Sequence, residues 1–111
     1  MKYPIAEKEL IACHPDGERQ RVKIQVGRPF RLERYEWAVS VHLEGLYHSL
    51  PDVHGEDSYE ALALSFALLH RLLREFVEQG GQLWEKDGKT PFEAGFPSVQ
   101  WNTEQLTRTY S

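Results

Sequence analysis

The sequence predicts an α+β fold: a curved antiparallel sheet of four to six strands packed on one long helix, in two layers. Three observations predict it. Residues 57–81 form a capped apolar stretch, runs of period two are concentrated before it, and tight turn signals separate those runs. Strands that follow one another through sharp reversals pair antiparallel, and a single later helix buries its apolar side against the sheet they make.

Residues 5–13 read as the first strand, with Leu10, Ile11, Ala12 and Cys13 as an apolar end whose facing the period leaves open. His14, Pro15, Asp16 and Gly17 then reverse the chain. Proline pre-sets the first central position of a type I turn, aspartate suits the second, and glycine takes the left-handed position of a bulge. On the far side Val22, Ile24 and Val26 alternate with Arg21, Lys23 and Gln25, the pattern of a half-buried strand ended by Gly27, Arg28 and Pro29. The cleanest strand follows. Tyr35, Trp37, Val39, Val41 and Leu43 share the buried parity, and Glu36, Ala38, Ser40, His42 and Glu44 share the wet one. Gly45 interrupts the alternation, residues 46–50 read as a short continuation or a fourth strand before Pro51, and residues 52–56 as the loop that feeds the helix.

Asp57 followed by Glu60 has the spacing of a capping box with Asp at the N-cap, and Gly80 and Gly81 supply the left-handed stop. Between them Tyr59, Leu62, Ala63, Phe66, Leu69, His70, Leu73, Phe76 and Val77 recur at three- and four-residue steps and define the expected core face. Leu64, Leu68 and Leu72 project from the other side beside Ala61, so a second apolar surface needs a cover, supplied by the chain or by a partner. Beyond the helix, residues 82–85 form a short strand around Leu83 and Trp84, and Lys86, Asp87, Gly88 and Lys89 form a turn. An irregular return runs through Phe92, Phe96 and Val99 to Trp101, and residues 102–111 are polar and peripheral.

The chain of 111 residues is long enough for one genuine core, and residues 1–111 read as a single domain. Charged residues at 27% and apolar ones at 41% place it among globular proteins and outside the disordered class. A net charge of -4 argues against nucleic-acid binding. That charge is uneven: residues 1–50 hold eight Lys/Arg against seven Asp/Glu (+1), whereas residues 51–111 hold five against ten (-5). Cys13 is the only cysteine, so no disulfide forms within the chain. The first four residues lack the apolar run of a signal peptide, and Glu60, Arg71, Arg74, Glu75 and Glu78 disqualify the helix as a membrane span, which makes the cytoplasm the expected location.

His42, His48 and His54 recur at intervals of six near Asp52, Glu56 and Asp57, and imidazole with carboxylate can build a zinc site or an acid-base pair. The spacing matches no short-range ligand motif, so no metal site is assigned. His70, inside the apolar stripe, reads as a hydrogen-bonded core residue. Arg19, Arg21, Lys23, Arg28, Arg31 and Arg34 form a basic run, but Glu18, Glu33, Glu36 and Glu44 lie near it, and a solvated charge ladder is the better reading than a phosphate track. Ser40 and His42 share a strand face without a third orienting group, and Cys13 reads as a small hydrophobe. No catalytic, cofactor-binding or metal-ligating residue is assigned. Trp84, Phe92, Phe96 and Trp101 are aromatic enough to cap the core or to anchor a partner.

Asp57-Ser58 with Ala61-Leu62, the Leu-rich helix, Gly81, Trp84 and Gly95-Phe96-Pro97, together with Ile5-Ala6-Glu7 and the Pro15-Asp16-Gly17 hairpin, resemble a family of small uncharacterised bacterial proteins. The likeness spans most of the chain and rests on turn and cap residues. It implies an α+β fold and a bacterial origin, and no activity. The function expected is that of a non-enzymatic protein-interaction domain, of the immunity or inhibitor type, binding a protein partner or itself as a homodimer through Leu64, Leu68, Leu72, Trp84, Phe96 and Trp101. The alternative is a small-molecule binder or small enzyme with a cleft between sheet and helix lined by Trp37, His42 and His48.

Overall fold

The computed structural model describes Met1 and residues 3–93. Its elements are β1 (Ala6–Cys13), β2 (Arg19–Val26), β3 (Phe30–Glu33), β4 (Glu36–Val39), β5 (Val41–Glu44), β6 (Val53–Gly55), α1 (Ser58–Glu78) and β7 (Gln82–Glu85). All strand pairs are antiparallel, and the fold is α+β, one 21-residue helix against a four-stranded sheet in the order β5-β2-β1-β7 and a three-stranded sheet in the order β3-β4-β6.

The first hairpin forms as its turn chemistry dictates. Gly17 N–H donates to the His14 carbonyl, His14 N–H to the Glu18 carbonyl, both at 2.8 Å, and the Asp16 carboxylate accepts from Glu18 N–H. This fixes β1 on β2 in the register Leu10↔Val22, so that Leu10, Ala12, Val22 and Val26 reach the core together.

The expected single sheet is two sheets, and the reason lies at Gly27 and Ser40. The chain from β2 to β5 is one long antiparallel ribbon that bends there. Gly27 N–H donates to the Ser40 carbonyl at 2.8 Å, and between Val26↔Val41 and Phe30↔Ala38 three residues on one side face two on the other. The extra residue beside Pro29 breaks the ladder and re-aims the second leg. The strand expected to run unbroken through residues 35–44 is therefore split between the sheets at Ser40. Ala38, assigned to the wet parity, is fully buried, and Tyr35, assigned to the core, is exposed at the tip of the β3–β4 hairpin. Two further expectations fail locally: residues 46–50 hold no strand, and residues 52–56 contain β6, which closes the three-stranded sheet by pairing Val53 with Val39.

The helix caps are those of the sequence. Asp57 accepts from Glu60 N–H at 2.7 Å, while the Glu60 carboxylate reaches back to Glu56 N–H, one residue earlier than the usual capping box. At the other end Gln79 is the C-cap, Gly80 sits at φ 101°, and the bonds Gly80 N–H to Val77 and Gly81 N–H to Phe76 make a Schellman motif.

The buried arc is not the expected one. Ala61, Ser65, Leu69, Leu72 and Leu73 are buried, with Leu62, Leu68 and Phe76 packed beside them. At 3.6 residues per turn this arc is rotated roughly a quarter turn from the expected stripe, toward the Leu68 and Leu72 side. Its N-terminal part is small because that end sits close over the three-stranded sheet: a Cβ at Gly55 would lie 2.9 Å from the Ala61 Cα. Ser65, fully buried one turn farther on, satisfies its hydroxyl by donating to the Leu62 carbonyl at 2.6 Å. Farther along, Leu69, Leu72 and Leu73 join Leu10, Val22, Val41, Leu43 and Leu83 in the core, each worth roughly 1.5–3 kcal/mol when fully buried.

Candidate functional site

The rotation of α1 leaves one apolar flank outside the core. Tyr59 is 83% exposed, Phe66 37% and Val77 40%, although all three were expected on the core face. Beneath Phe66 the helix and the inner face of the four-stranded sheet do not close on each other. A groove of about 540 Å³ lies between them, with Phe66, Leu69, His70 and Leu73 from α1 on one side, Ala6, Ile24 and Val26 from β1 and β2 on the other, and Pro91 and Phe92 at one wall.

The polar groups at this groove are few and engaged. Lys8 and Glu85 face each other on paired strands, the ammonium 2.9 Å from one carboxylate oxygen and 3.1 Å from the other, and Lys8 also lies 5.3 Å over the Phe92 ring. This combination holds the Phe92 wall by charge and by cation–π attraction. His70 Nδ1 donates to the Phe66 carbonyl one helical turn earlier, at 2.6 Å. The imidazole is therefore held against its own helix, at the groove margin and not in the core where the sequence placed it.

Phe92 reaches the groove through a turn built around Asp87. Its carboxylate accepts from the backbone N–H of Lys89 and Thr90 and from the Thr90 hydroxyl, at 2.7–2.9 Å, and these donors hold its pKa below the ordinary 3.8. Phe92 N–H then donates to the Leu83 carbonyl at 3.0 Å.

The residues proposed from sequence are scattered by comparison. Leu72 is 8% exposed and belongs to the core, Leu68 packs against it, and Leu64, 45% exposed, stands alone on the flank opposite Phe66. The expected leucine contact row is thus not a continuous surface, because Leu72 lies in the core and Leu68 is partly buried against it. Trp84 is half-buried on the outer face of β7, opposite Ile11 in register, with its indole N–H buried and unpaired among the described residues. Phe96 and Trp101 lie outside the described residues.

The alternative lining is also separated. His42 and His48 share a hollow of about 590 Å³ beside β5, with Glu44 and Tyr47, and this hollow is at the sheet edge, away from the interlayer groove. Trp37 borders neither; it pairs with Arg31 and Gly55 across the other sheet and packs on the core. His54 faces Glu36 at 3.0 Å, apart from the other two histidines, and among the described residues no group of three or more His, Cys, Asp or Glu side chains converges to hold a metal ion.

Other candidates resolve by their partners. Ser40 donates its hydroxyl to Asp52, 3.0 Å away, so its bond is not to His42. Cys13 is half-buried and contacts the His14 carbonyl, while the His14 ring turns to Gln20 and stacks edge-on to Phe76. On the outer face of the four-stranded sheet Lys23 lies opposite Glu9 and Glu44 and 3.8 Å from Glu7, and Lys86 lies 4.0 Å from Glu9, a mixed-charge surface.

No helix among the described residues is long and apolar enough to cross a membrane. Comparison of the chain with family models, with curated proteins and with solved structures finds no match. A cleft between sheet and helix was expected as the alternative, but its lining by Phe66, Leu69 and Leu73 was missed because Phe66 and Leu69 fit the expected stripe equally well. The signal that could have found it is the run of small residues Ala61 and Ser65, which marks the side of closest approach.

Proposed function

We propose that the chain is a non-enzymatic protein-interaction domain that binds through the interlayer groove and the α1 flank beside it. The observation that carries this reading is the contiguity of exposed Phe66 with an apolar groove floor. Single exposed apolar residues are ordinary, but a patch continuous with an open groove is the usual form of a partner site, and aromatic side chains are its usual anchors. The acidic second half of the sequence, at -5, suits a basic partner, as an inhibitor of a nucleic-acid-directed toxin requires.

The test places a photoreactive phenylalanine analogue at Phe66 and, as control, at Arg71 on the opposite side of α1, in cells that produce the protein. A discrete protein adduct at Phe66 and none at Arg71 is expected. Equal labelling at both positions, or none at Phe66, overturns the reading.

A second reading is favoured by size: about 540 Å³ is within the range of small-molecule sites, with Lys8 and Glu85 as the polar end. An environment-sensitive apolar fluorophore should then bind with one-to-one stoichiometry and be displaced by Phe66→Glu. Stoichiometric binding unchanged by that substitution counts against it.

A further inference from the structure

We propose that the outer face of the four-stranded sheet carries an anion site in which the guanidiniums of Arg19 and Arg21 hold the phosphoryl group of a phosphate monoester over Ile11. The inference goes beyond the groove reading, because this face is the one turned away from α1.

The register places the pair. Arg19 lies opposite Cys13 and Arg21 opposite Ile11, on the parity that leaves Val22 for the core. Side chains two residues apart on a strand stand roughly 6.6 Å apart on one face, close enough for two guanidiniums to meet on one tetrahedral group. Both arginines are exposed, and among the described residues neither guanidinium has an ion pair.

The charge ladder expected along β2 ends before them. Lys23 faces Glu9 and Glu44, and Lys86 lies 4.0 Å from Glu9. Strand β5 stops at Glu44, however, and the next residue, Gly45, packs without a side chain on the Arg21 carbonyl. Among the described registers neither neighbouring strand sets a carboxylate opposite Arg19 or Arg21.

A hollow of about 370 Å³ opens between these arginines and the turn after β7, lined by both of them with Ile11, Lys86, Asp87 and Gly88. A side chain at Gly88 would begin 3.7 Å from Arg19 Nη1, so glycine there keeps the hollow open. Three cations against one carboxylate leave it at +2. That carboxylate, Asp87, is occupied by the Lys89 and Thr90 donors of its own turn.

The chemistry selects the ligand. A carboxylate has two oxygens, which one guanidinium fork satisfies, whereas a phosphate monoester presents three terminal oxygens and close to two charges, enough for both forks and a match to the charge of the hollow. Ile11, half-buried at the floor, suits an apolar ester group. Glu9 and Glu44, which line the adjoining hollow with Lys23, oppose a second phosphate, so the site fits one monoester and not a nucleic-acid backbone.

The test is an NMR titration of the full chain with inorganic phosphate, phenyl phosphate and a phosphotyrosine peptide, at ionic strength held constant with sodium chloride. The Arg19 and Arg21 Nε–H signals and the Gly88 amide should shift together and saturate at one-to-one stoichiometry, with phenyl phosphate tighter than inorganic phosphate. Arg19→Gln and Arg21→Gln should each weaken phenyl phosphate at least about tenfold, and Arg31→Gln, in the other sheet, should leave it unchanged. Both side chains are exposed, so these variants keep the fold, which the same spectra verify. A peptide at least about tenfold tighter than phenyl phosphate assigns the phosphoryl group to a protein side chain, and equal or weaker binding assigns it to a small ester. Shifts that do not saturate, shifts that sodium chloride alone reproduces, or saturable binding indifferent to both arginine substitutions overturn the proposal.

Discussion

The two flanks of α1 have similar side chains and opposite fates. The Leu68 and Leu72 flank packs into the core, whereas on the exposed Tyr59, Phe66 and Val77 flank Phe66 borders an open groove. Hydrophobicity alone does not separate them, for the second flank is the richer in aromatic rings. They differ in backbone approach. Gly55 lies close against the Ala61 backbone, and Ala61 and Ser65 lie on the buried arc while Phe66 lies on the exposed flank. A small-residue contact at one end accompanies this rotation of the rod, and the apolar surplus falls where that rotation leaves it.

The comparison breaks most readily at Leu69 and Phe66, which the sequence placed on one stripe. Leu69 is fully buried, so Leu69→Asp is expected to abolish the cooperative thermal melt, and Leu69→Ala to cost about 2–5 kcal/mol. Phe66→Asp should keep a cooperative melt with a loss of about 1–2 kcal/mol, because its ring already meets solvent. Loss of the fold in Phe66→Asp with retention in Leu69→Asp would reverse the assignment of the faces.

Gly55→Ala sharpens the same contrast by perturbing the small-residue contact. The added methyl meets the Ala61 backbone, which has no flexible end to move aside, so α1 must lift or roll away from β6. The expected cost is about 1–3 kcal/mol in denaturant unfolding. A roll should also change the exposure of Phe66, read as altered yield at its photoprobe. A neutral Gly55→Ala would mean that the small-residue contact does not set the helix rotation.

Local signals were the legible part of this sequence. The Pro15-Asp16-Gly17 turn, the Asp57 cap, the Gly80 stop, the Asp87 turn and β7 were each read from residue types whose backbone preferences act over a few positions. The split at Ser40 was hidden because period two continues across the bend: Val39 and Val41 are both buried, each in a different sheet. β3 and β6 were hidden for another reason. β3 is exposed along its whole length and shows no buried parity, and β6 is only three residues long. The groove depended on the helix rotation, which two overlapping apolar stripes left undetermined. Turn and cap chemistry is written locally, whereas facing is settled by whichever contact tolerates least.

The N-cap offers a smaller effect, confined to the end where the small-residue contact lies. Asp57→Ala removes the acceptor for Glu60 N–H and should cost about 0.5–2 kcal/mol. Hydrogen exchange should quicken in the first turn, near Tyr59, while the Leu69 to Leu73 region keeps its protection. Uniform loss of protection along α1 would show that the two ends are not energetically distinct.

The smallest effect separates the flanks by pH. Asp87 builds the turn that carries Phe92 to the groove, whereas Leu72 lies in the core. Its carboxyl is held below 3.8, first by Lys89 N–H, then by Thr90 N–H and the Thr90 hydroxyl. A depressed folded pKa means that the ionised form favours the fold: the contribution is fully present above the unfolded value and is lost as pH falls through the lower folded one. The group is fully exposed, so the loss should register locally and leave the melt almost unmoved. Amide resonances of Lys89, Thr90 and Phe92 should titrate together with a midpoint below 3.8, those of Leu72 and Leu73 should stay still, and Asp87→Asn should flatten the titration. A midpoint at or above the ordinary carboxylate value would show that the turn does not hold the charge, and the Phe92 wall would then stand by Lys8 and the Leu83 bond alone.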